Sequence, residues 1–200
     1  MDWLETSFAL DRTANWLRGR DMDHTKKPAL EALARVLDEQ RVPWALIGGM
    51  ALQAHVEDPR FTHDIDIAVP SRSLLPRAAL AAAGFRETGR FPYSDNFEGF
   101  GVPVQFSDDA PLAEVLSRAQ TVRLDDVGLR IVSALDLLRA KLRAAAAPEW
   151  RKSKALQDLA DIEALLERHP PLEDALSPDE RQQRLRLPSE IAARIPRRTP

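Results

Sequence analysis

The stretch ALIGGMALQAHVEDPRFTHDIDIAV, residues 45–69, constrains the fold more than any other part of the chain. A short apolar run ends at Gly48 and Gly49, and a helix-compatible pattern follows, so a strand, a tight turn and a helix come in that order. In DIDIAV, carboxylate and apolar side chains alternate, which places Asp64 and Asp66 on one face of a second strand. The stretch therefore predicts two neighbouring strands connected through a glycine turn and a helix.

Asp64 and Asp66 would repel each other on that face unless a cation lay between them. Mg²⁺ prefers oxygen ligands and is commonly held by one or two carboxylates together with substrate phosphates. The backbone N–H groups of Gly48, Gly49 and the first helical turn would form a site for an anion such as a triphosphate. We therefore expect one site for phosphate and metal. The alternatives are an ordinary turn at the glycines and an exposed strand edge at the aspartates.

Composition limits the class of protein. The chain has 200 residues, 44% hydrophobic and 30% charged, which predicts one compact unit with no membrane partner, because no apolar run approaches the ~18 residues of a membrane span. It has no cysteine, which excludes disulfides and thiolate metal sites and fits a cytoplasmic location. The net charge of −3 argues against a general nucleic-acid binder, although basic residues cluster between positions 139 and 154.

The remaining patterns predict an α/β (α+β) fold. Helices are expected over KPALEALARVLDEQRV, over SRSLLPRAALAAAGF from Ser71 or Ser73 to Gly84, and over two segments after Ser133. Strands are expected at FRETGRF and GVPVQFSD around a polar loop, and as a hairpin about Asp126 and Gly128. The predicted segments are a helical lead (1–27), an α/β core (28–132), helices packing on that core (133–170), and a mobile proline-rich tail with one short helix near Asp179 (171–200).

The residues GGMALQAHVEDPRFTHDIDI resemble the GG-x-A … R-x-T-x-D-[IL]-D signature of the nucleotidyltransferase fold, especially its small bacterial branch of AbiEii-type toxins. The matching positions are Gly48, Gly49, Ala51, Arg60, Thr62, Asp64, Ile65 and Asp66. The resemblance implies a mixed β-sheet flanked by helices and followed by a C-terminal helical segment. It also implies Mg²⁺ on the aspartates, an NTP donor, and nucleotidyl transfer with release of pyrophosphate. The acceptors it implies are RNA such as tRNA, or protein, and a toxin would have an antitoxin partner.

A third carboxylate is part of this resemblance, and here the chain departs from it. The corresponding triplet is Val104, Gln105 and Phe106, and a glutamine amide is neutral and cannot act as a general base. Asp108 is the candidate substitute as a metal ligand, if a bulge or strand end turns it inward. The alternative to an active enzyme is therefore a module that binds nucleotide or a partner protein without turnover.

Four basic or hydroxyl residues complete the set of candidate nucleotide-binding residues. If the strand extends back to Arg60, then Arg60 and Thr62 share a face with the aspartates; a surface arginine is the alternative. By resemblance Lys141 reaches the triphosphate, helped by Lys152 or Lys154 and oriented by Asp158 or Asp161. For these lysines the alternative is a solvated helix face with an i,i+4 salt bridge.

Overall fold

The structure, a computed structural model, describes residues 3–19, 21, 25–148 and 151–193. The chain divides into two compact units, Met1–Ala54 with Asp58–Ser133 and His55–Glu57 with Ala134–Pro200. Among the described residues, no helix is long and apolar enough to cross a membrane. The end of the predicted tail, residues 194–200, lies outside the described residues.

The first unit contains a mixed β-sheet with flanking helices. Its helices are α1 (Trp3–Leu17), α2 (Lys27–Glu39), α3 (Gly48–His55), α4 (Arg77–Ala82) and α5 (Ala110–Val115), with 3₁₀ turns at Arg72–Leu74 and Leu116–Arg118. Its strands are β1 (Ala45–Leu46), β2 (Ile65–Ala68), β3 (Arg86–Arg90), β4 (Asp95–Gly99), β5 (Val102–Ser107), β6 (Gln120–Leu124) and β7 (Val127–Ile131). The predicted strand, turn and helix at residues 45–55 are confirmed.

The order of the seven strands is β3-β4-β5-β2-β1-β7-β6. β2 pairs antiparallel with β1 and parallel with β5, and β1 pairs parallel with β7, so the sheet is mixed as predicted. The remaining neighbours are antiparallel pairs. β2, which follows Asp64 and carries Asp66, therefore lies in the interior of the sheet.

Apolar periodicity accounts for the core of this unit. In α2, Leu30, Leu33 and Leu37 recur at helical spacing and are buried, and the helix contacts β7. In β2, Ile65 and Ile67 are fully buried while Asp66 between them is half-buried. Burial of these alternate side chains fixes the register of β2, because a slip of one residue would turn the isoleucines to the opposite face.

Two predictions about residues 71–101 were wrong. The stretch predicted as a polar loop contains β4, in which Asp95, Phe97 and Gly99 are buried. Asp95 is tolerated there because Arg72 and Arg77 neutralise it.

The single helix predicted from Ser71 or Ser73 is instead a 3₁₀ turn capped by the Ser71 side chain, followed by α4. Pro76 separates the two, because it lacks an N–H group and disfavours helical backbone in the residue before it.

The second unit is helical. It contains α6 (Ala134–Ala146), α7 (Lys152–Arg168), α8 (Leu172–Ala175) and α9 (Pro178–Ala193), of which α6 and α7 match the two predicted helices. α9 extends well beyond the short helix predicted near Asp179, and Leu187 and Ile191 on it are fully buried. Pro178 is compatible with this helix because it occupies the first position, whereas Pro188 lies inside the helix, where it cannot donate a backbone hydrogen bond.

Candidate active site

Gly48 lies directly against the carboxylate of Asp66. Its φ of +61° is in the left-handed region, which glycine adopts without strain. A β-carbon at Gly48 would overlap Asp66 Oδ2 and would lie 2.7 Å from Asp66 Cγ. The backbone adds a further link, since the N–H of Ile47 donates to the carbonyl of Asp66 at 3.0 Å. The glycine therefore lets the turn and the carboxylate occupy adjacent positions.

Gly49 has the same relation to Thr62. A β-carbon there would lie 2.7 Å from Thr62 Cβ, and Thr62 is only 5% exposed. The Thr62 hydroxyl donates to Asp64 Oδ1 at 3.2 Å, so the threonine connects the second glycine to the first aspartate. The structure thus brings together five of the predicted site residues: Gly48, Gly49, Thr62, Asp64 and Asp66.

The first turn of α3 supplies hydrogen-bond donors beside these carboxylates. The helix begins at Gly48, and the N–H of Ala51 donates to the carbonyl of Ile47 at 3.3 Å. The N–H groups that precede Ala51 in the helix have no acceptor inside it, and the N-terminal end of a helix favours negative charge. Backbone N–H groups that can donate to an anion lie here beside two carboxylates. This arrangement suits a phosphate that binds together with a divalent cation.

The segment before Asp64 is not a strand. β2 begins at Ile65, and residues 59–63 have neither helix nor strand, so the extension of the strand back to Arg60 is wrong. Side chains hold this segment instead: Gln53 Nε2 donates to the carbonyl of Arg60 at 2.8 Å. Arg60 Nη1 donates to the carbonyl of Phe61 at 3.2 Å. Nucleotide binding by Arg60 and Thr62 stays a prediction.

Gln105 occupies the position expected for the third carboxylate. It is the register partner of Asp66 in the parallel pair of β2 and β5, and it is half-buried. Within the described ranges no group of three or more His, Cys, Asp or Glu side chains is arranged to hold a metal ion. The carboxylate donors at this point of the sheet are therefore Asp64 and Asp66.

Asp108 follows β5 and is bound by Arg72. Arg72 Nε donates to Asp108 Oδ1 at 2.7 Å, and the backbone N–H of Arg72 donates to Oδ2 at 3.0 Å. Partial burial raises the pKa of the Asp108 carboxyl, but the hydrogen bonds and the charge of Arg72 outweigh it, so that the pKa is lowered. A metal at Asp108 would have to displace this arginine. Its role as a metal ligand stays a prediction.

In the second unit, Lys141 forms salt bridges with two aspartates. Lys141 Nζ lies 2.7 Å from both Asp158 Oδ1 and Asp161 Oδ2, and all three side chains are buried. Burial lowers the pKa of Lys141, but Asp161 and Asp158 more than compensate, and the pKa is raised. Lys154 Nζ also reaches Asp158 Oδ1, at 3.0 Å. Lys141 is thus held as an ammonium group, and contact of Lys141 or Lys154 with a triphosphate stays a prediction.

The contacts around Phe61 were not predicted from the sequence. Lys26, just before α2, places its ammonium group 4.9 Å from the centroid of the Phe61 ring, and Asp11 of α1 is paired with Lys26. No signal in the sequence indicates these contacts, because the three residues are far apart in the chain and belong to no common motif. Lysine, aspartate and phenylalanine at such separations are common in any sequence, so only the folded structure shows that these three are in contact.

Solved structures with the same fold are nucleotidyltransferases or resemble them. An antigenic nucleotidyltransferase-like protein from Paracoccidioides brasiliensis is 20% identical, with a TM-score of 0.52 over 85% of this chain and 93% of that chain. The antibiotic-resistance factor ANT(2'')-Ia, in complex with adenylyl-2''-tobramycin, is 16% identical, with a TM-score of 0.53 over 82% of this chain and 98% of that chain. A solution structure of the same factor is 18% identical, with a TM-score of 0.51 over 85% and 95% of the two chains. The chain has the nucleotidyltransferase fold.

The family follows from the sequence as a whole. Residues 31–196 match the family described as "Nucleotidyl transferase AbiEii toxin, Type IV TA system", so this chain belongs to the AbiEii family. The resemblance found at residues 45–69 is thereby confirmed. Membership supports nucleotidyl transfer as the class of reaction. No curated protein matches the chain significantly.

Proposed function

We propose that this protein is a Mg²⁺-dependent nucleotidyltransferase that moves a nucleotidyl group from an NTP to an RNA or protein acceptor, as the toxin of a toxin–antitoxin pair. The observation that carries the proposal is the contact of Gly48 with Asp66 and of Gly49 with Thr62, itself bonded to Asp64. These contacts place donors for a phosphate beside two carboxylates. Family membership supports the same reaction class and the toxin role.

Asp64 and Asp66 are the residues that would hold Mg²⁺. Two carboxylates suffice for an ion that keeps several waters and takes further oxygens from substrate phosphates. When bound, the ion neutralises charge on the triphosphate and on the leaving pyrophosphate. The donor set fits Mg²⁺, because all of its atoms are oxygens and the site contains neither thiolate nor imidazole ligands among the residues described above.

The chain's own groups have distinct tasks in this reaction. The N–H groups at the start of α3 bind phosphate oxygens and orient the α-phosphorus toward the acceptor. An acceptor hydroxyl oxygen then forms a bond to that phosphorus, the bond to pyrophosphate breaks with its electron pair on the pyrophosphate oxygen, and the hydroxyl proton passes to solvent water. Gln105 cannot take that proton, because an amide is not a base at neutral pH. Lys141 and Lys154, with Arg60, are the further cations expected to contact phosphate.

A second function is favoured by one observation. Gln105 pairs with Asp66 where the fold is expected to carry a third carboxylate. A site with two carboxylates can bind a metal-nucleotide complex and still lack turnover. The alternative is therefore a nucleotide-binding or partner-binding module that performs no transfer.

Labelled nucleotides separate the two functions. The protein is incubated with Mg²⁺ and each α-labelled NTP, in the presence of total RNA and total protein, and nucleotide binding is measured in parallel by calorimetry. Transfer of label that is lost in Asp64→Asn and Asp66→Asn supports the enzyme. The matched control is Asp58→Asn, an exposed carboxylate in the same connection, which should transfer label normally. Binding without labelling of any acceptor would refute transfer and support the binding module.

A further inference from the structure

An ion pair buried between α1 and the start of α2 contacts the segment that leads to Asp64. Asp11 and Lys26 are 4% and 3% exposed. Asp11 accepts from the Lys26 ammonium group and, at 2.9 Å, from the Lys26 backbone N–H. Charges this deeply buried are costly to desolvate, so a pair with no further role would gain little over apolar side chains of similar size.

The Lys26 ammonium group lies over the ring of Phe61, 4.9 Å from its centroid, and the Arg18 guanidinium lies 5.3 Å from the same centroid. Two cations from the N-terminal part of the chain therefore contact one ring. A cation attracts the face of an aromatic ring, so these two contacts restrict where the ring can lie.

Phe61 belongs to the irregular segment that precedes β2, and the next residue is Thr62. Thr62 fits between Gly49 and Asp64, with its hydroxyl 3.2 Å from Asp64 Oδ1. Residues 59–63 have no strand ladder, so side-chain contacts hold them: Gln53 bonds to the carbonyl of Arg60, and Lys26 and Arg18 contact the ring of Phe61. Phe61 is thus the held residue next to Thr62, whose hydroxyl bonds to Asp64.

We propose that Lys26, fixed by Asp11, is a positioning residue that holds the segment from Phe61 to Asp64 in the geometry required for metal binding. The proposal rests on the proposed function, since it assumes that Asp64 is a metal ligand. Asp11 and Lys26 precede residue 31, where the family match begins. In this proposal, Asp11 of the N-terminal helix α1 contributes to the metal site through Lys26.

The test compares two double variants of the full chain. Asp11→Asn with Lys26→Met removes the buried pair without leaving a lone buried charge. Lys27→Met with Asp125→Asn removes a pair at the neighbouring lysine whose side chains are 38% and 61% exposed. Binding of Mn²⁺ is followed by electron paramagnetic resonance of the free ion, with no nucleotide or acceptor present.

We expect the buried-pair variant to bind Mn²⁺ roughly 10- to 100-fold more weakly, as for other residues that orient metal ligands, and the control to stay within about twofold of the unmodified chain. Equal or tighter binding by the buried-pair variant would overturn the proposal. If that variant does not fold, Phe61→Leu replaces it, since this change removes the ring and keeps the ion pair.

Amide hydrogen exchange provides a readout that does not depend on metal. The buried-pair variant should exchange the amides of residues 61–64 faster, while those of the β6–β7 hairpin stay unchanged. Unchanged exchange at residues 61–64 would refute the positioning role. If the unmodified chain binds no Mn²⁺, the proposed metal site fails, and the exchange comparison alone decides the role of Lys26.

Discussion

Asp66 on β2 and Gln105 on β5 are register partners in a parallel pair of strands. Their side chains therefore project from the same face of the sheet. A carboxylate and an amide differ by one charge, so we expect the affinity of the proposed metal site to depend on which of the two groups stands at position 105.

Gln105→Asp tests this dependence. A third carboxylate should tighten Mn²⁺ binding by about tenfold, which corresponds to ~1.4 kcal/mol. Without metal it should lower the free energy of unfolding, because three carboxylates then repel one another, and added Mg²⁺ should restore it. Calorimetric titration and thermal unfolding with and without Mg²⁺ measure both effects. Gln120→Asp, on an exposed position of β6, is the control, and an equal response of both variants would contradict the expectation.

Gly48→Ala should lower the free energy of unfolding by more than the left-handed backbone conformation alone explains. Gly19 has a similar φ, +63° against +61°, but a β-carbon there meets nothing within 4 Å. Gly19→Ala therefore measures the strain of a left-handed alanine, ~1–2 kcal/mol. Gly48→Ala should lower the free energy of unfolding by roughly 1–3 kcal/mol more than Gly19→Ala, because its β-carbon overlaps Asp66. It should also weaken Mn²⁺ binding. If urea unfolding shows the same loss of stability for Gly19→Ala and Gly48→Ala, then Asp66 moves aside without cost and the expectation is wrong.

Lys141→Met should destabilise the second unit strongly. It leaves Asp158 and Asp161 buried without their shared counterion, which costs about 3–5 kcal/mol. Lys154→Met removes a more exposed contact and should cost less than ~1 kcal/mol. Urea unfolding of the two variants at pH 7 gives the comparison. Similar losses would indicate that Lys141 is not the principal counterion.

The pH dependence of the same variants has a definite sign. In the unmodified chain the pKa of Lys141 is raised above 10.5, so its stabilisation is present below that pH and is lost as the pH rises through the raised value. Lys141→Met lacks this group and therefore this dependence on pH. The difference in the free energy of unfolding between the unmodified chain and the variant should shrink as the pH rises above 10.5, and a difference in urea unfolding that does not change with pH would contradict this.

Arg72→Lys tests the ion cluster that Arg72 forms with Asp95 and Asp108. Arg72 donates to Asp108, to Asp95, and to the carbonyls of Phe91 and Pro92. A lysine cannot reproduce this planar set of donors, so the free energy of unfolding should fall by roughly 1–3 kcal/mol. Arg86→Lys, at an exposed pair with Glu98, should leave thermal unfolding nearly unchanged. A small effect at both positions would mean that Asp108 and Asp95 are held by other contacts.

Local patterns in the sequence predicted most of the elements that build the site. The alternation of Asp64 and Asp66 with isoleucines, and the glycines at a strand end, depend on rules that act within a few residues. They gave the strand, the turn and the helix, and the family resemblance gave the mixed sheet. The triplet at residues 104–106 predicted that Gln105 takes the place of a third carboxylate, whereas its pairing with Asp66 is known only from the structure.

Contacts between distant segments account for what could not be predicted. β4 begins with Asp95, a residue typical of loops, and it is a strand because Arg72 and Arg77 neutralise the buried carboxylate. The Asp11–Lys26 pair likewise depends on a fold that brings α1 to the start of α2. Ion pairs between distant residues follow no periodic pattern, so they cannot be predicted from a single sequence.

The chain leaves β2 at Ala68 and returns in β5 at Val102. The parallel ladder between β2 and β5 joins the two ends of the intervening segment, which contains α4, β3 and β4. Because closing a longer loop costs only slightly more entropy, residues added at the turn between β3 and β4 should leave the pairing of Asp66 with Gln105 intact. That turn is therefore a suitable place to insert a reporter peptide without disturbing the two strands that carry Asp66 and Gln105.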